Sequence, residues 1–357
     1  MNVEHVSTDN YLTTLRVKAS SVEVADAFDR GLDSFLDQVG QASGVNLQEL
    51  PGDTAEEKIR NAMDKATADQ TIETAVLSWL IPQALSKENI IPVASADATV
   101  EGLLSHSLPT TFLLKVAAKP SYELSDYEPF TVTIPAKPEV TEEDVDGQIQ
   151  MMLVEFARAK AAQEGTDPGK AEIPELTDEW CAENLTNLGV KSVAELRESF
   201  RHNAAHALAD QYEQLRMAAI MDEYSKRFVG EIPTELCELV AKDMLGQLGQ
   251  QVLGEGMELE FYLAQQDTTE EEVMETFKQQ AYFQLKQGFI LDAIYRHEAL
   301  RLEIQDLMSL IHGMAPGNEE DAFNALQESG RAFLLKEGAE RQKALQWIAD
   351  HITVETV

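Results

Sequence analysis

The sequence predicts an α+β N-terminal domain followed by a mainly α-helical C-terminal domain with protruding arms, elongated overall. Three observations carry this. Half-buried strand patterns occur only before Thr141. From Thr141 onward, apolar residues recur at spacings of three and four, the helical period. One stripe (Leu196, Phe200, Ala204, Leu208, Tyr212, Leu215, Ala219, Tyr224, Phe228) continues for roughly eight turns or more, the length of a helix that spans a domain.

Taken in order, Tyr11 to Ser20 alternates Leu15, Val17 and Ala19 against Arg16 and Lys18, a strand with one buried face. Ala25, Phe28, Leu32, Phe35, Leu36 and Val39 then mark an amphipathic helix, with Ser20 or Ser21 as N-cap. An acidic loop follows. A helix from about Ala55 leads into a second run, where Ile72, Val76, Trp79 and Leu80 share a face and Pro82 is expected to kink or interrupt the helix. "IIPVAS", "LPTTFLLKVAAKP" and "FTVTIPAKP" read as strands, and the order β-α-α-α-β-β-β fits a small α+β domain. Thr141, with Asp144 three residues on, opens a capped helix carrying Val145, Ile149, Met152, Leu153 and Phe156. "EGTDPGKAEIPE" reads as a linker. Gly230 and Pro233 mark the break after the long stripe, and further amphipathic helices follow. The expected domains are 1–121, a linker strand and helix over 122–172, and a helical domain with two arms over 173–357.

Composition excludes several function classes. A hydrophobic content of 44% suffices for substantial cores. The net charge of −35 opposes binding to phosphate backbones or anionic membranes, so neither nucleic acid nor membrane is expected as a partner. Cys181 and Cys237 lack metal-type spacing and read as small apolar core residues. The N-terminus lacks the charged and apolar regions of a secretory signal, and no apolar run reaches the roughly 18 residues of a membrane span. The expected location is the cytoplasm.

The sequence offers no catalytic residues, metal site or cofactor. His202 and His206 lie one helical turn apart, but Asn203 stands where a zinc-protease helix needs Glu, so they read as helix surface. The carboxylates cluster at helix starts, where they complement the helix dipole. Late in the chain, large flexible and aromatic side chains recur among glutamines: Met244, Leu248, Leu253, Met257, Phe261, Tyr262, Met274, Phe277, Tyr282, Phe283, Met308 and Met314. Such chemistry suits an adaptable binding surface. These twelve are the candidate peptide-binding residues, on the argument that helical arms have little interior.

Several segments resemble the trigger factor family of ribosome-associated bacterial chaperones. "PELTDEWCAENL" and "SVAELRESFRHNA" look like the start of its C-terminal domain, and "EIPTELCELVAKDML" resembles the turn into the first arm. "FKQQAYFQLKQGFILDAIYRHEALRLEIQDLMSLIHGMA" is similar to the second arm. "ALSKENIIPVAS" and "YELSDYEPFTVTIPAKPEVTEEDVDGQI" resemble the end of the N-terminal domain and the linker. Two departures stand out. The family carries a Gly-Phe-Arg-x-Gly-Lys ribosome-docking loop after its first helix; here Gly40 to Thr54 holds no cation and offers Val45, Leu47 and Leu50 instead. The family also inserts a peptidyl-prolyl isomerase domain, for which "EGTDPGKAEIPE" leaves no room. The resemblance therefore implies an ATP-independent holdase for non-native polypeptides, cofactor-free, without isomerase activity or stable ribosome binding, and with homodimerisation an option. The competing expectation is an assembly protein with one folded partner docked on Val45, Leu47 and Leu50.

Overall fold

The computed structural model describes residues 1–9, 11–43, 47–186 and 189–357. The chain divides into two compact units. One comprises Met1–Tyr127 with Ser225–Asp350, the other Glu128–Tyr224 with His351–Val357.

The first unit opens with an antiparallel hairpin, β1 (Asn2–Asp9) and β2 (Leu12–Ala19). α1 (Ser21–Asp26) follows, with Ser20 as N-cap in a reciprocal capping box with Glu23. It continues through a π-helical turn (Ala27–Gly31) into α2 (Leu32–Ser43). α3 (Ala55–Ala62) and α4 (Lys65–Glu88) begin at the caps Thr54 and Asp64 and are the second and third helices of the expected order. β3 (Asp97–Val100) and β4 (Thr110–Ala117) complete a four-stranded antiparallel sheet of order β1-β2-β4-β3. Leu15 and Val17 of β2 and Phe112, Leu114 and Val116 of β4 are buried with Phe28, Leu32, Ile72, Val76, Trp79 and Leu80 of the helices. The period-two and period-3.6 patterns thus meet in one core.

Two expectations are corrected, and of the two outcomes expected at Pro82 an interruption does not occur. β1 carries almost no buried residue, so it has no alternation to detect; its pairing with β2 makes it a strand. The strand expected at "IIPVAS" lies later, at β3, and only an isolated bridge from Pro92 to Ala118 remains of it. α4 runs through Pro82 without a break. Proline removes the N–H that would bond the carbonyl of Ser78. Arg331 supplies a replacement, its guanidinium donating to that carbonyl at 3.3 Å.

The same unit holds a two-residue antiparallel pair, β5 (Glu123–Leu124) with β7 (Phe228–Val229), and the C-terminal helices. The second unit contains the parallel pair β6 (Thr131–Ile134) and β8 (Thr353–Thr356), α5 (Glu142–Gln163), α6 (Asp178–Asn184) and most of α7 (Val193–Arg227). Thr141 and Asp144 form the expected capping box. Val145, Ile149 and Leu153 pack with Cys181, Leu185 and Leu196. Glu142 accepts from Arg197 at 2.9 Å and Arg201 at 2.6 Å, tying the start of α5 to α7. The expected linker holds a 3-10 turn at Pro168–Lys170 and then chain without regular secondary structure into α6.

Candidate functional site

α8 (Thr234–Gly254), α9 (Leu259–Gln265) and α10 (Glu270–His297) cover segments expected to form the arms. α8 packs along α10 and against α9. Thr269 and Glu272 cap α10 reciprocally, and hydrogen bonds from the Thr269 backbone and side chain hold the Glu272 carboxyl below its ordinary range. The apolar stripe Ala281, Leu285 and Phe289 meets Leu236, Cys237 and Val240, and both rest on Ala94 and Ala117 at the end of the N-terminal sheet. Lys278 of α10 reaches Glu238 of α8 at 3.2 Å.

Past this base, a buried charge cluster fixes α10 to α13 (Ala332–His351). Asp292, 6% exposed, accepts from Arg341 Nε at 3.1 Å and Nη2 at 3.0 Å. Lys119 reaches Asp292 at 3.1 Å and Glu337 at 2.9 Å, and Glu337 also meets Arg341 at 2.7 Å. Burial opposes the Arg341 charge, but the Asp292 hydrogen bonds and the neighbouring carboxylates outweigh it and raise its pKa. The guanidinium fits only because Gly288 has no side chain; a Cβ there would lie 2.8 Å from Arg341 Cζ.

With the inward faces so committed, none of the twelve candidate residues is buried. Leu253, Phe261, Phe283 and Met314 are 59–68% exposed, and Tyr282 and Met308 are exposed to a lesser degree. Met244, Leu248, Met257, Tyr262, Met274 and Phe277 are half-buried, and Met244 packs on the base cluster. Tyr282 and Phe283 meet edge to face with ring centroids 5.8 Å apart, and the Lys286 ammonium sits 5.8 Å from the Tyr282 ring.

Ten of the twelve lie on or between the packed α8, α9 and α10. Met308 and Met314 lie instead on α11 (Ile304–Met314), which packs on α12 (Glu319–Glu328) and reaches α13 through Lys343 and Asp306, 2.6 Å apart. Sequence reasoning missed Ile304, the most exposed of the large apolar residues of α11 at 80%. Its place one turn before Met308 was the available signal.

The α11–α12 turn is held by His312, whose Nδ1 lies 2.5 Å from Glu319. That hydrogen bond, with N–H groups at Gly317 and Glu319 itself, pulls the Glu319 carboxyl down to about 2. A carboxyl depressed in the folded state contributes stability above its ordinary pKa and loses it as pH falls from about 4.5 through about 2. We expect His312→Ala to return the Glu319 titration, followed by carboxyl NMR, toward the ordinary glutamate range. An unchanged midpoint would assign the shift to the backbone alone.

The acidic loop is organised by its own chain. Leu47 opens a 3-10 turn (Leu47–Glu49) and packs against the N-terminal core, and Leu50 is half-buried; Val45 lies outside the described residues. Asn61 donates to the Pro51 carbonyl at 2.8 Å, and Thr54 caps α3. Gly52, at φ +144°, brings the chain so close to α3 that a Cβ would lie 2.7 Å from the Lys58 nitrogen. Among the described residues no helix is long and apolar enough to cross a membrane, and no group of three metal-type side chains could hold an ion.

Comparison with known proteins agrees with this layout. The family model "Bacterial trigger factor protein (TF)" matches residues 1–152, and "Bacterial trigger factor protein (TF) C-terminus" matches residues 192–350. The trigger factor of Lysinibacillus sphaericus is 20% identical over 446 aligned positions, covering 99% of this chain and 100% of that protein. That of Shouchella clausii is 18% identical over 423 positions, covering 95% and 93%. The Bacillus cytotoxicus trigger factor is 26% identical over 186 positions, covering 50% of this chain and 42% of that one. A solved structure of the trigger factor chaperone covers 98% of this chain and 100% of that one at 14% identity, with a TM-score of 0.34, too low for a comparison of folds. The two longer alignments exceed the 357 residues of this chain, so those relatives carry sequence that it lacks. Between the two matched regions the regular structure among the described residues is the end of α5, the 3-10 turn and α6. With both ends matched by models of one chaperone family, and full-length relatives of that family aligned along it, the chain belongs to the trigger factor family.

Proposed function

We propose that the chain is an ATP-independent holdase that keeps non-native polypeptides from aggregating without anchoring to the ribosome. The observation that carries this reading is the set of large apolar side chains left uncovered on α8–α11, with Leu253, Phe261, Phe283, Ile304 and Met314 each more than half exposed. Each gives a client an apolar contact, and glutamines between them leave a wet, undemanding background. Several weak contacts acting together supply the affinity, so no deep pocket is needed. The −35 charge keeps a loaded complex soluble. The ribosome-free part rests on the cation-free loop from Gly40 to Thr54, which phosphate backbones would repel. The cytoplasm is the compartment that fits this role.

The test is suppression of light scattering by the full chain when a denatured client is diluted without nucleotide. We expect suppression at near-stoichiometric ratios, no acceleration of proline-limited refolding, and no co-sedimentation with ribosomes at physiological salt. Catalysis of the proline step, or sedimentation that survives moderate salt, would overturn the corresponding part. A single stoichiometric folded partner recovered in place of diverse clients would favour the assembly reading.

A further inference from the structure

The seven histidines divide by what they touch. His5, His106, His297 and His312 each sit at 2.5–3.1 Å from a carboxylate: Glu88, Asp29, Glu298 and Glu319. His351 is also engaged. For His202 and His206 the structure gives, among the described residues, a single contact: each other. Their ring centroids are 4.5 Å apart with planes at 77°, and both side chains are exposed.

We propose that His202 and His206 form a two-histidine chelate for a borderline divalent transition cation, with nickel and copper as the matching class. Both residues lie well inside α7, a 35-residue helix, so their spacing is set by rigid backbone. Side chains four residues apart stand about 5–6 Å apart at Cβ, close enough for one ring nitrogen of each to share an ion. Neutral imidazole is a preferred ligand for copper, nickel and zinc, and a poor one for magnesium or calcium, which take oxygen. Carboxylate partners occupy four of the other imidazoles, whereas no carboxylate partner is given for either of this exposed pair among the described residues. No third His, Cys, Asp or Glu closes a cage around them among the described residues, so water fills the remaining positions and the site is an open chelate. The strong negative charge of the chain raises the local concentration of cations. Spacing alone reads this pair as helix surface; what distinguishes them is that, among the described residues, neither has a carboxylate partner and each ring meets the other.

The experiment is calorimetric titration of the full chain, produced without an affinity tag, with nickel or copper chloride. We expect one saturable equivalent per chain, tighter for copper than for nickel in the usual order of divalent affinities, and none for magnesium. His202→Ala and His206→Ala should each weaken it by about tenfold or more, the scale on which a metal site responds to loss of a supporting group. Both positions are exposed, so the helical circular dichroism should not change. A register control keeps two imidazoles but moves one off the face, combining His206→Ala with Ala207→His; it should bind as weakly as the single variants. Absence of saturable nickel or copper binding would overturn the proposal. So would binding that survives either single substitution, or a register variant that binds as well as the parent.

Discussion

Asp292→Ala should lower the stability of the first unit by about 3 kcal/mol or more, the largest effect expected from a single substitution here. Removing one partner of a buried ion pair leaves the other charge desolvated and uncompensated, a loss of about 3–5 kcal/mol. Asp292 is 6% exposed and receives two guanidinium hydrogen bonds and one ammonium contact. Glu337 still meets both Arg341 and Lys119, which places the expected value at the lower end. The measurement is urea denaturation with the midpoint and slope fitted together. A second variant separates the charge from the packing. Asp292→Leu combined with Arg341→Met replaces the pair by apolar volume and should recover most of the loss, because a well-packed apolar pair avoids the desolvation cost. A loss below about 1 kcal/mol in the single variant would mean that water enters the cluster and screens it.

The second large effect concerns function. Replacing Met257, Phe261 and Phe283 together with serine should weaken client holding by roughly a hundredfold while the chain stays folded. Phe261 and Phe283 are 59% and 63% exposed and Met257 is half-buried, so truncation opens no core cavity. Each side chain contributes about 1–2 kcal/mol when a client covers it, and a total near 3 kcal/mol corresponds to about two decades in affinity. The readout is the concentration of chain that halves client aggregation, with helical circular dichroism as the folding control. The full chain is required, because the arm base rests on Ala94 and Ala117 of the N-terminal part. Loss of helical signal would show these residues to be structural. Unchanged suppression by a folded variant would move the client surface elsewhere.

Much of the fold was legible because its signals are local. Ser20, Thr54 and Thr141 act as caps from their own side chains, and the alternation of Leu15, Val17 and Ala19 is set by the pleat of a single strand. The twelve arm residues could be named from their chemistry, but their exposure could not. Met274 and Phe277 are half-buried while Phe283, two turns on, is open; which positions of α10 are covered depends on its packing along α8, which arrives from elsewhere in the sequence. Leu47, read as a free contact in the acidic loop, packs on the N-terminal core once the 3-10 turn forms.

By itself, then, the sequence determined the α+β start, the helical remainder, the family resemblance and the cation-free loop, all properties of neighbouring residues or of the order of segments. Only the tertiary structure decided what depends on distant partners. β5, β7, β6 and β8 are two to four residues long and exist through pairings that join remote parts of the chain. α4 passes Pro82 because Arg331, 253 residues after Ser78, satisfies the carbonyl that proline leaves open. Asp292 can be buried as a charge because Lys119 and Arg341 arrive from opposite ends of the sequence. A short strand, a proline within a helix and a buried carboxylate are each costly in isolation; contacts made across the fold offset that cost, and no local pattern encodes them.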